Sequence, residues 1–164
     1  MKVLKASLCV TVLLLLLITA NTIWAAATDN HTVTVTVSAI NELAIVGGNV
    51  TLTINTATAG SNPDNQTDAT TSDLLWTTNE ASKKITILSN ILAASANFTL
   101  TAEATGISGG TATAAQTPTT TAADFITGVA TTIGTCDLSY VGSATAAEGT
   151  GSDAHTITYT LTAV

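Results

Sequence analysis

From His31 to Ile54 the chain alternates apolar and polar positions with a period of two. Val33, Val35 and Val37 stand against Thr32, Thr34 and Thr36; beyond Gly47, Gly48 and Asn49, Val50, Leu52 and Ile54 stand against Thr51 and Thr53. Period two is the side-chain repeat of a strand, so the stretch predicts half-buried β-structure with a β-branched apolar face and a wet threonine face. The Gly-Gly-Asn cluster supplies the positive φ angles of a tight reversal. Asn41 and Glu42 interrupt the period. Leu43 to Val46 is expected to continue in a new direction, as a strand does when it crosses between packed sheets.

Further along, Asn55 to Ser72 has no side chain larger than Thr or Gln and reads as a long surface loop. Asp73 to Asn79 is a strand with Leu75, or the Leu74 and Trp76 pair, facing inward. A turn at Asn79 to Ser82 leads to Lys83 to Ser89, with Ile85 and Ile87 on one face. Asn90 to Ala96 is a connection or edge piece, and Asn97 to Ala104 alternates Phe98, Leu100 and Ala102 with polar residues. Within the Thr/Ala/Gly-rich stretch Gly106 to Ala122, Thr111 to Ala115 is a weak edge strand; Phe125 and Ile126 suit a single helical turn capped by Thr121 or Asp124. Cys136, Leu138 and Tyr140 share one strand face, and Ile157, Tyr159, Leu161 and Ala163 alternate with threonines to the end. Short strands at this spacing predict an all-β fold, an antiparallel β-sandwich of Ig-like Greek-key or jelly-roll-like type with about seven to nine strands.

The N-terminal segment changes the picture of where such a sandwich works. Lys2 and Lys5 precede an apolar run from Leu8 to Ile18, and Ala25 to Ala27 offers a small-residue cleavage site. This pattern predicts a signal peptide over 1–27 and a single domain over 28–164, secreted to the extracellular space or cell surface. Cys9 would leave with the signal, so Cys136 has no partner for an internal disulfide. Two lysines, Lys83 and Lys84, then face eleven acidic residues, a net charge of −9. Such a chain has no electrostatic means of holding phosphates or an anionic bilayer, which excludes nucleic acid and, after signal removal, a membrane surface as partners.

Candidate chemistry is sparse. His31 and His155 stand apart from other ligand-type residues, and no serine lies in a nucleophile-elbow context, so no enzymatic activity, cofactor or catalytic residue is expected. Asn62, Asp64, Gln66, Asp68 and Asp73 follow the order of a calcium-loop ligand set, but Thr67 stands where that loop requires glycine. A solvated loop is the stronger reading, with calcium the weak candidate. Trp76 on the core face is packing, whereas on the solvent face it would be a platform for sugars. Four N-x-Ser/Thr sequons, at Asn30, Asn49, Asn65 and Asn97, matter only in a glycosylating pathway. The Thr-x-Thr arrays are similar to ice-binding surfaces, yet threonine also suits the wet face of any strand, and strand twist would spoil a lattice match.

The signal segment, the opening TVTVTVSAINELAIVGGNVTLTI, the segment WTTNEASKKITI read as a hairpin, and the closing HTITYTLTAV resemble a group of Thr-rich secreted bacterial proteins of uncharacterised function. In architecture the chain also resembles the β-sandwich subunits of bacterial surface fibres, such as pilins, although it lacks the paired cysteines of many of them. That resemblance implies a terminal strand passed to a neighbouring subunit. The physical basis is an alternating strand, with Val33, Val35, Val37 and Ala39 on one face, that can fill a groove in its own sandwich or in the next molecule's. The expected function is a secreted, non-enzymatic structural or surface-assembly subunit. Its partners would be further copies of itself or other cell-surface proteins. The alternative is an adhesive or ligand-binding module whose loops around Trp76, Asn62 to Asp73 and Ser143 to Asp153 contact a glycan or a surface.

Overall fold

A computed structural model describes residues 26–92 and 97–164. The predicted signal core and Cys9 lie outside them. Contacts divide the chain at Thr36 and Val37. Of the first unit, 26–36 is described and contains neither helix nor strand.

The second unit is an all-β sandwich with nine strands among its described residues: β1 (Asn41–Gly47), β2 (Gln66–Asp68), β3 (Ser72–Thr78), β4 (Lys83–Ser89), β5 (Thr99–Ser108), β6 (Thr111–Ala112), β7 (Ala123–Val129), β8 (Thr132–Ser143) and β9 (Ile157–Ala163). The first sheet is built on the long β8. Its Thr132–Asp137 half pairs with β3, Tyr140–Gly142 pairs with β2 on the same side, and β5 takes the other side. β1 pairs outside β3. The second sheet runs β6, β7, β4, β9, and all pairings in both sheets are antiparallel.

The core lies where alternating residues of the two sheets meet. Leu74 and Trp76 of β3, Cys136, Leu138 and Tyr140 of β8, and Ala102 and Ala104 of β5 face Ile85 and Ile87 of β4, Phe125, Ile126 and Val129 of β7, and Tyr159 of β9, all buried. The Tyr140 and Tyr159 hydroxyls meet at 2.9 Å, a hydrogen bond that joins the sheets and satisfies both buried oxygens. Burial raises the pKa of both phenols, Tyr159 most strongly.

Several expectations are corrected here. The segment 76–87 is not a hairpin, because β3 and β4 belong to different sheets and their connection, with Ser82 at φ 59°, is an arch over the end of the core. Phe125 and Ile126 are not on a helical turn. They sit in β7 at a register shift against β4, between the pairs Ile85↔Ile126 and Thr86↔Asp124, and this bulge lets two successive side chains both be buried. The supposed loop 55–72 contains β2, and the low-complexity stretch after β6 is held in place, since Gln116 and Ala102 exchange backbone hydrogen bonds at 2.8 Å. The largest correction concerns 31–39, which forms no strand although its alternation is the most regular in the chain. Val50, Leu52 and Ile54 likewise lie outside any strand, although they are half-buried.

Candidate functional site

Val33, Val35 and Val37 are 73, 83 and 71% exposed, so the apolar face of the predicted first strand meets solvent instead of a sheet. Thr32, Thr34, Thr36 and Ala39 are exposed as well. An alternating segment of this kind carries unused donors, acceptors and apolar side chains together, the properties of a strand without a sheet.

Where this segment enters the sandwich, the backbone is clamped by the β3–β4 arch. The Asn79 side-chain oxygen accepts from the Ile40 amide at 2.7 Å, its amide nitrogen donates to the Ser38 carbonyl at 2.7 Å, and its own backbone N–H donates to the Ile40 carbonyl. Next to it, the Asn41 amide donates to Glu80, and Glu80 pairs with Lys83 at 2.9 Å. The hydrogen bond from Asn41, then those from Lys83 and its charge, hold the Glu80 carboxyl below its ordinary pKa. Thr78, buried, donates to the Asn41 side-chain oxygen at 2.7 Å. The backbone from Ser38 to Asn41 is therefore latched. Sequence reading missed the latch; the Asn-Glu pair in the arch was read only as a turn signal.

A second unpaired stretch follows β1. Val50, Leu52 and Ile54 are half-buried, Thr51 and Thr53 are exposed, and Leu52 lies over Gly142, where a Cβ would come within 3.2 Å of its Cδ1. Val50 and Leu52 pack against the core. Yet among the described residues the backbone of Val50–Ile54 makes no hydrogen bond to another backbone group. The side chains are placed as in a strand, and the ladder is missing.

The other sequence candidates fare differently. Of the residues in the calcium order, Gln66 and Asp68 share one face of β2 and Asp73 lies on β3. Asp68 is occupied by the Thr71 hydroxyl at 2.7 Å and by the Thr71 and Thr70 amides, which together hold its pKa low. Among the described residues no three His, Cys, Asp or Glu side chains are grouped to hold a metal ion. Trp76 is 2% exposed, so its ring offers no platform to a sugar. Its Nε1 hydrogen has no acceptor among the described residues.

Two of the three predicted contact loops do converge. The Asn62 side-chain oxygen accepts from the Ala146 amide at 3.2 Å, and an open cleft of ≈ 240 Å³ lies between them, lined by Asn62, Pro63, Thr99, Ser143, Thr145 and Glu148. It is below the roughly 300–1,000 Å³ of typical small-molecule sites. The outer face of the second sheet is no threonine grid, since Thr158, Thr160 and Thr162 of β9 stand beside Leu88, Thr86 and Lys84 of β4. Among the described residues no helix is long and apolar enough to cross a membrane. No protein-family model and no curated protein matches this chain.

Proposed function

We propose that this chain is a secreted, non-enzymatic structural subunit that associates with further copies of itself through the alternating segment His31–Ala39. The observation that carries this reading is the exposure of Val33, Val35 and Val37 on a regular alternating segment without a ladder. Three valines left in water forgo about 1.5–3 kcal/mol each relative to burial. A cleft on another subunit would recover that free energy. The Asn79 latch supports the same reading, because it holds Ser38 and Ile40 at the sandwich and leaves the residues before them free of that clamp. The role uses no cofactor, and the −9 charge favours protein surfaces over nucleic acid or anionic lipid. The mature chain from Thr28 is expected to form dimers or polymers by light scattering, and a chain lacking Thr28–Ala39 to remain monomeric. A monodisperse monomer from the full mature chain overturns the proposal.

The second reading, an adhesive module, is favoured by the cleft where Asn62 meets the loop after β8. Binding to a glycan array that is lost in Asn62→Ala, with the protein monomeric throughout, would select it.

A further inference from the structure

The chain contains two stretches with strand-like alternation and no ladder, and they are complementary. Among the described residues, His31–Ala39 has exposed apolar side chains and no backbone–backbone hydrogen bond, and Val50–Ile54 has Val50 and Leu52 already against the core and no backbone–backbone hydrogen bond either. Resting on the assembly reading above, we infer that the acceptor for the N-terminal strand is the Val50–Ile54 stretch of a second copy of this chain, which the incoming strand converts into a strand by supplying its missing ladder.

Charge selects this acceptor over the sheet edges. Mature copies, with two lysines against eleven acidic residues over 28–164, carry −9 and repel one another, so contact is cheapest where both surfaces lack acidic groups. No charged side chain lies between Thr32 and Asn41, and none between Leu43 and Pro63. The edge of β1 carries Glu42, a charge of the kind that protects edges from pairing, and the outer side of β5 carries Glu103 and is already bonded to Gln116 at Ala102. The edge of β9 is uncharged, but its backbone already has one ladder, with β4. Val50–Ile54 has none among the described residues. Five paired residues span about 17 Å and cover less than the roughly 1,000 Å² of a specific contact. Each junction is therefore expected to be weak alone and to gain by repetition along a chain of subunits.

The geometry can be trapped. Threonines on the outer face of paired strands stand directly opposite one another, within disulfide reach. Full mature chains carrying Thr34→Cys or Thr36→Cys are mixed with chains carrying Thr53→Cys under mild oxidation, and cross-linked pairs are identified by mass spectrometry. Thr160→Cys on the β9 edge serves as the competing acceptor. Cys136 is buried and does not compete. Heterodimers linked to position 53 are expected to exceed those linked to position 160 by about tenfold, since only directly opposed residues meet the bond geometry. Linkage mainly to position 160 overturns this acceptor while leaving assembly intact. A doubly substituted Thr34→Cys/Thr53→Cys chain that closes only on itself overturns the intermolecular arrangement. No linkage anywhere, with monodisperse monomers, overturns the assembly reading as well. As an independent check, Thr53→Pro removes a ladder donor, and a folded Thr53→Pro chain that still polymerises also overturns the acceptor.

Discussion

The indole of Trp76 lies across Gly134, its cross-strand partner, in the space that a side chain on β8 would fill. A Cβ at Gly134 would overlap the ring at Cε2, Nε1 and Cζ2, so the glycine is required by close approach. Inward positions of β8 thus run Gly134, Cys136, Leu138, Tyr140, Gly142, with a gap at each end filled by Trp76 and by Leu52.

Gly134→Ala is accordingly expected to lower stability by about 1–3 kcal/mol, the usual cost of overpacking a dense core. The urea midpoint measures it. In a Trp76→Leu background the cost should shrink, because the methyl then has room; equal costs in both backgrounds would show that the indole is not the obstacle.

The Cys136 thiol is held at a pKa of about 11, first by burial and then by the charge of Asp137. It should resist thiol reagents at pH 8 in the folded protein and react at once in denaturant. Its pKa is raised relative to an ordinary value of 9.0, so the folded state keeps its proton longer than the unfolded state does. The thiol's contribution is complete below pH 9 and is lost as pH rises toward 11. Cys136→Ala should reduce the alkaline loss of stability.

Acid acts through different groups. Asp68, Glu80 and Asp153 all have lowered pKa values. At Asp153 partial desolvation pushes the pKa up, and the hydrogen bonds from the Phe98 and Asn97 amides and the Asn97 side chain outweigh it. A depressed carboxylate stabilises the fold above its unfolded pKa and ceases to do so as pH falls through the folded value. Urea midpoints should therefore stay flat from neutrality to about pH 5 and fall below about pH 4. Asp68→Asn, which keeps an acceptor for Thr71, should make that fall shallower.

Asn79→Ala removes two side-chain hydrogen bonds that hold the strand exit at Ser38 and Ile40. Each contributes about 0.5–1.5 kcal/mol. Amide exchange at Ile40 is expected to accelerate while amides of β4 and β8 keep their protection. Loss of protection throughout would mean that the latch supports the whole sandwich.

In outline the sandwich was legible because alternation reports a half-buried strand wherever a sheet covers one face. Lys83–Ser89 was read to the residue, and Cys136, Leu138 and Tyr140 do share the buried face of β8. The failures have one physical origin: alternation shows that a segment suits a sheet, not that the sheet has a place for it. His31–Ala39 passes the sequence criterion better than β1, yet β1 is the strand. Likewise Phe125 and Ile126 break the period because of a bulge, and adjacent buried residues cannot be told from a helical turn without knowing the partner strand. The Asn79 latch depends on residues 39 positions apart meeting in space, which no local pattern records.

The arch that sends β3 and β4 into different sheets also governs how the molecule comes together in time. Most strands must find partners far along the chain: Lys83 pairs with Ala163, and Thr99 with Ser143. Such pairings require large loops to close before any ladder repays them, which places folding in the slow, millisecond-to-second range of β-sandwiches. Until β9 arrives, β4 has one open side, and the nascent second sheet is as receptive to a foreign strand as to its own.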